Sequence, residues 1–143
     1  MGDRCYLRIT VEKARIDDFD KIMFGSMGGG PVPEEEDDFT VTYEMHEVNY
    51  AAYSEREEAA QAGILFYGYN GSGSEYPSAL FCNADKRSAE WPVGGSYDRY
   101  ILYADENGEV DPNDQEEVKR FAADLAHTKS IMHNPLHRLV AAT

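Results

Sequence analysis

Cys5, Leu7, Ile9 and Val11 alternate with Tyr6, Arg8, Thr10 and Glu12. A period of two predicts a β-strand with one apolar face. At Ile16 the period lengthens, and Ile16, Phe19, Ile22 and Met23 fall on one helical stripe. Asp17, Asp18 and Asp20 sit near the start of that helix, where the dipole favours acids, and Gly25 can end it with a left-handed cap. The period of two returns at Phe39: Phe39, Val41, Tyr43 and Met45 point one way, Thr40, Thr42, Glu44 and His46 the other. Val48 and Tyr50 resume out of phase, which predicts a β-bulge near His46-Glu47.

Ser54 and Glu57 have capping-box spacing and open an alanine-rich helix that Gly63 stops. From 64 to 104 the runs ILFYGY, SALFCNA, AEWPV and DRYILYA read as strands between turns rich in Gly, Asn and Ser. Glu106-Asn107-Gly108-Glu109 carries a tight-turn signal. Asp111 then caps a last helix with Pro112 at its first position, and Val118, Phe121, Ala122, Leu125 and Met132 form its apolar stripe. Asn134-Pro135 ends it.

This order predicts an α+β domain: an antiparallel sheet of about five to six strands with two to three helices packed mainly on one face. A ferredoxin-like core with added hairpins is one arrangement that satisfies it. Residues 1–143 read as one domain, with a long exposed loop at 25–38 and a short tail after 134.

Composition changes the picture through charge. Against 27 acids stand 13 Lys and Arg, a net charge of −14. The charge concentrates before residue 61 and after residue 100, leaving a nearly neutral, Tyr- and Gly-rich middle. Such a chain repels nucleic-acid phosphates and anionic lipid, so a direct nucleic-acid or membrane partner is not expected. No apolar run suits a membrane span or a signal-peptide core, and a cytoplasmic location is the expectation.

Motifs for chemistry fail one by one. The glycines at 25–30 lack dinucleotide and Walker spacing, follow a helix C-terminus, and precede five carboxylates, all of which disfavour phosphate. A calcium loop from Asp105 would need Gly where Val110 stands. His133 and His137 are separated by Pro135, which breaks the helix that would align them. Cys5 and Cys82 lie in strand-like runs and read as buried thiols. No catalytic residue, metal site or cofactor is assigned.

What remains is a surface for interaction. Candidate partner-binding acids are Glu34, Glu35, Glu36, Asp37 and Asp38, with Glu55, Glu57, Glu58, Asp105, Glu106 and Glu109; candidate aromatic anchors are Tyr67, Tyr69 and Tyr76. The expectation is a non-enzymatic acidic protein that binds and blocks a basic, nucleic-acid-binding protein. Small phage or mobile-element anti-defence inhibitors and nucleic-acid mimics work on this logic. The alternatives are a nucleotide or small-ligand pocket beside the YNGSGSEYP turn, and an immunity protein against a basic toxin.

Overall fold

The computed structural model describes residues 3–25, 30–94, 96–134 and 136. Part of the predicted 25–38 loop, at 26–29, and His137 with the rest of the tail lie outside the described residues. Six strands form one antiparallel sheet: β1 (Arg4–Glu12), β2 (Glu35–Glu36), β3 (Thr40–Asn49), β4 (Phe66–Asn70), β5 (Ala79–Ala84) and β6 (Arg87–Pro92). Three helices accompany it: α1 (Ile16–Phe24), α2 (Tyr53–Gln61) and α3 (Pro112–Met132). The spatial order is β2-β3-β1-β4-β5-β6. Its first four strands, with α1 and α2 between them, follow the connectivity expected of a ferredoxin-like βαββαβ core. β5 and β6 extend that core beyond β4.

The alternation of β1 decides how the layers stack. Cys5, Leu7, Ile9 and Val11 join Val41, Tyr43, Phe66 and Phe81 under α1 and α2, whose Phe19, Ala59 and Ala60 close that face. Phe66 and Phe81 are fully buried; each such side chain stabilises by roughly 1.5–3 kcal/mol. The other face is covered only in part. Phe121 and Leu125 of α3 pack on Cys82, Ala84, Leu80 and Tyr67, over β4, β5 and β6. Two helices therefore gather on one face and the third crosses the opposite one. Gly68 allows the tight centre of this sheet, since a Cβ there would collide with the Arg8 carbonyl and the Phe81 ring.

Several sequence signals reappear as geometry. Gly25 ends α1 as expected, but at φ 84° and ψ 170° it adopts an extended positive-φ conformation in place of the left-handed cap. The register between β1 and β3 shifts where Leu7 faces Met45 and Cys5 faces Val48, the bulge expected at His46-Glu47. The Asp111 carboxylate caps α3 by accepting from the Asn113 N–H at 2.9 Å. Others differ. α2 starts at Tyr53, so Ser54 lies inside its first turn and makes no cap; Glu57 instead accepts from the Ser88 N–H of β6 at 2.9 Å. The chain enters α2 through Tyr50, Ala51 and Ala52 in succession at φ 50°, 53° and 56°. DRYILYA is not a strand: it touches the sheet through one bridge, Val93 to Tyr100, beside the Ile101 N–H bond to the Pro92 carbonyl.

Beneath α2 lies Arg56, whose side chain is wholly buried. Its guanidinium donates to the Ala51 carbonyl and Ser88 Oγ at 3.0 Å each and to the Tyr76 hydroxyl at 3.2 Å. It also stands 4.2 Å from the Phe81 ring centroid. The Tyr76 hydroxyl in turn donates to Glu90 at 2.9 Å. A second clasp joins Asp3 to the YNGSGSEYP turn, where its carboxylate accepts from the backbone N–H groups of Ser74, Glu75 and Tyr76. Among the described residues no helix is long and apolar enough to cross a membrane.

Candidate binding face

α3 leaves the β1 and β3 part of its face uncovered, and the pleat aims a particular set of side chains there. Tyr6 and Arg8 come from β1, Glu44 and His46 from β3, and Tyr67 and Tyr69 from β4. Tyr97, from the connection after β6, folds back over Tyr69. The rings run in sequence: His46 to Tyr6 at 5.6 Å, Tyr6 to Tyr69 at 5.9 Å, Tyr69 to Tyr97 at 4.2 Å between centroids. At the α3 side, Lys129 Nζ stands 5.1 Å from the Tyr67 ring centroid, and the Tyr67 hydroxyl lies 3.2 Å from His133 Nε2.

Charge on this face is paired. The Arg8 guanidinium reaches Glu35 at 3.1 Å and Glu44 at 3.3 Å. Between the sheet and α3 opens a cleft of about 150 Å³, lined by Arg8, Tyr67, Tyr69, Leu80, Leu125 and Lys129. Burial, with the neighbouring Tyr69 hydroxyl second, pushes the Tyr6 phenol up to about 12. Burial also raises Tyr67 and Tyr97. At neutral pH these phenols stay protonated, so the face offers ring surfaces, O–H groups and carboxylates. Burial likewise raises both thiols, Cys82 to about 12. Among the described residues no His, Cys, Asp and Glu cluster could hold a metal ion. Ring faces and carboxylates are groups that attract cations.

The residues singled out from sequence fall into several places. Of the 34–38 acids, Glu35 joins the tyrosine face through Arg8 and Glu36 pairs with Lys13 at 3.0 Å. Asp37 shapes the β2–β3 turn by accepting from the Phe39 and Thr40 N–H groups at 2.8 and 2.7 Å. Glu34 and Asp38 are exposed. Glu55, Glu57 and Glu58 ride on α2, across the sheet from the tyrosines. Asp105, Glu106 and Glu109 form a turn in the connection from β6 to α3, and Asp105 is used there to accept from the Asn107 and Glu109 N–H groups. The two outer strands, β2 and β6, are separated by roughly 24 Å at ordinary strand spacing. The eleven acids thus occupy three regions rather than one face. Tyr67 and Tyr69 sit on the open face beside Glu35, whereas Tyr76 belongs to the Arg56 clasp.

Tyr6, Arg8, Glu44, His46, Tyr97 and Lys129 were not singled out as site residues. For the first four the signal was present, because they are the outward members of the alternating runs in β1 and β3. Nothing local marks Tyr97 or Lys129, whose places depend on how the last third of the chain folds back. Comparison of the chain with protein-family models, curated proteins and solved structures finds no match.

Proposed function

We propose that this chain is a non-enzymatic interaction protein that takes a basic segment of a partner protein onto its tyrosine face. One observation carries the reading: the face already holds two of the molecule's own cations by the chemistry a partner would use. Lys129 rests over Tyr67, and Arg8 is clamped between Glu35 and Glu44. Half-buried tyrosines supply anchors, and a net charge of −14 steers a basic surface toward them. A protein that displays Arg and Lys to grip nucleic acid is the partner class that fits, and occupation of that surface would inhibit it.

On the tyrosine face the small-ligand alternative meets a limit of size. About 150 Å³ in the cleft is below the roughly 300–1,000 Å³ of ordinary small-molecule sites. It accommodates a side chain better than a nucleotide. The pairing of Arg8 and Lys129 on one cleft still favours a small anion as the second reading.

The test is capture of partners from lysate on immobilised protein, with Tyr69→Ala/Tyr97→Ala and Glu35→Lys/Glu36→Lys variants alongside. Basic proteins retained by the wild type should be lost from both variants and released by about 0.5 M salt, where the Debye length falls to about 4 Å. Retention unaffected by the variants and by salt would refute the proposal.

A further inference from the structure

The outer edge of β3 is covered for only a short length. β2 pairs with it at Glu35 to Thr42 and Glu36 to Val41, flanked by Glu34 N–H to the Thr42 carbonyl and Asp37 N–H to the Thr40 carbonyl. Pro33 and Pro31 precede, and proline cannot extend a ladder, so the chain leaves the sheet there and Val32 stands 89% exposed. The Thr40 and Thr42 carbonyls face outward, while Val41, Tyr43 and Met45 pair inward with β1. By the same alternation Glu44 presents its N–H and C=O groups outward; the bulge at His46-Glu47 then shifts the phase, so that Val48 faces Cys5 and Asn49 is the next outward position. Among the described residues no strand pairs with the outer edge of β3 beyond Thr42, while β1 pairs with its inner edge as far as Asn49.

Charge decides what this edge admits. Glu44, His46 and Glu47 line it, with Glu35 on β2 ahead. A second copy of the chain would set these carboxylates against themselves, the usual device by which an edge avoids self-pairing. A strand bearing Lys and Arg is matched to these carboxylates and competes for them with Arg4 on Glu47 and Arg8 on Glu35 and Glu44. Every other side chain of such a strand would project onto the face that carries Tyr6, Arg8, Glu44 and His46.

We propose that the basic partner segment binds as an added β-strand on the outer edge of β3 over residues 44–49, across its bulge and in line with β2, with its Lys and Arg side chains on the tyrosine face. This rests on the binding reading above and names its geometry. Backbone hydrogen bonds to Glu44 and Asn49 supply affinity independent of side-chain identity, while the tyrosines and carboxylates select charge.

The probe is a fluorescein-labelled peptide of roughly ten residues alternating Arg and Thr, followed by anisotropy. Two further peptides carry backbone N-methyl groups, one on every Arg and one on every Thr. An added strand aims only one of these two sets of amides at β3. One methylated series should therefore bind about tenfold more weakly and the other should bind as the parent does. Amide exchange at Glu44 and Asn49 should slow with the parent peptide. In the protein, Glu44→Pro removes the outward N–H and should weaken binding beyond Glu44→Ala, which removes only the side chain. If both methylated peptides bind like the parent and exchange is unchanged, while Tyr69→Ala and salt still weaken binding, strand addition is overturned and the binding face stands. If the parent peptide does not bind, both fall. Sedimentation showing a dimer blocked by Glu44→Pro would assign the edge to a second copy and overturn the proposal.

Discussion

Arg8 holds Glu35 at 3.1 Å, tying the short acidic strand β2 to the tyrosine face of β1. The pair is exposed on the Glu35 side, so it adds at most about 1 kcal/mol to stability. Its larger effect is on charge, because the single positive charge of Arg8 is shared between Glu35 and Glu44. Arg8→Ala is therefore expected to strengthen binding of a basic peptide severalfold and to leave stability within about 1 kcal/mol. Anisotropy with the Arg-Thr peptide reads the first and urea denaturation the second. Weaker binding would instead favour the small-anion reading of the cleft.

Arg56 is the opposite case. Its charge is fully buried and partnered by Ser88, Tyr76 and Glu90. Glu90→Leu leaves that guanidinium without its carboxylate and should lower unfolding free energy by about 3–5 kcal/mol. Tyr76→Phe removes the hydroxyl between them and should cost about 1–2 kcal/mol. Neither position lies on the binding face, so peptide affinity should not change in whichever variant remains folded. Denaturant titration and anisotropy on the same samples check both statements.

The left-handed entry to α2 stores strain that a single substitution relieves. A non-glycine residue in this region costs roughly 1–2 kcal/mol, against roughly 0.5–1 kcal/mol lost when glycine loosens the unfolded chain. Tyr50 is the position to change, since it is half exposed whereas Ala51 and Ala52 are buried. Tyr50→Gly should raise stability by about 0.5–1 kcal/mol, read as a higher urea midpoint at unchanged m-value.

Stability should form a plateau bounded by two sets of groups. On the acid side, Asp3 is held below 3.8, first by the Glu75 N–H, against burial, and then by Ser74 and Tyr76. Burial opposes ionisation of Asp37, but bonds from Phe39 and Thr40 together outweigh it and lower that carboxyl too. A lowered folded pKa adds stability above the unfolded value that is lost as pH falls through the folded one. On the alkaline side, burial raises Cys82 from 9.0 to about 12 and, with Glu90 opposing Arg56, Tyr76 from 10.0 to about 12. Their stabilisation is complete below 9 and declines as pH rises toward 12. Thermal melting across pH should show both flanks, and Asp3→Asn should remove part of the acid one.

The same burial predicts thiol behaviour. Both cysteines are inaccessible and their thiolates disfavoured, so a disulfide reagent at pH 8 should modify neither until denaturant is added. Fast modification of Cys82 in native protein would mean that α3 opens readily.

The periodicities legible in the chain were those set by one strand or helix. β1, α1, β3 with its bulge and the capped start of α3 all follow from local pattern. The misread elements depend on distant chain. Glu57 has capping-box spacing, yet the Ser88 N–H competes for its carboxylate across 31 positions. DRYILYA alternates like a strand, but Pro92 offers no N–H to carry the β6 ladder forward. Thr10 and Thr42 occupy outward positions, yet both are buried and bonded to each other at 2.9 Å. The binding face was half legible, through Tyr67, Tyr69 and Glu35. Its other half consists of outward strand positions that sequence alone does not distinguish from ordinary solvated residues.

The central place of β1 also bears on the order in which the molecule is made. β1 is the first strand to be synthesised, but its two neighbours are β3 and β4, and Leu7 waits for Met45 on one side and Asn70 on the other. Its two edges can be filled only after about half the chain has emerged, and contacts this far apart in sequence close slowly. During that interval β1 is a strand with both edges open to pairing with another chain. The acids of α1 and β2, which emerge next, are then the nascent chain's own protection against aggregation.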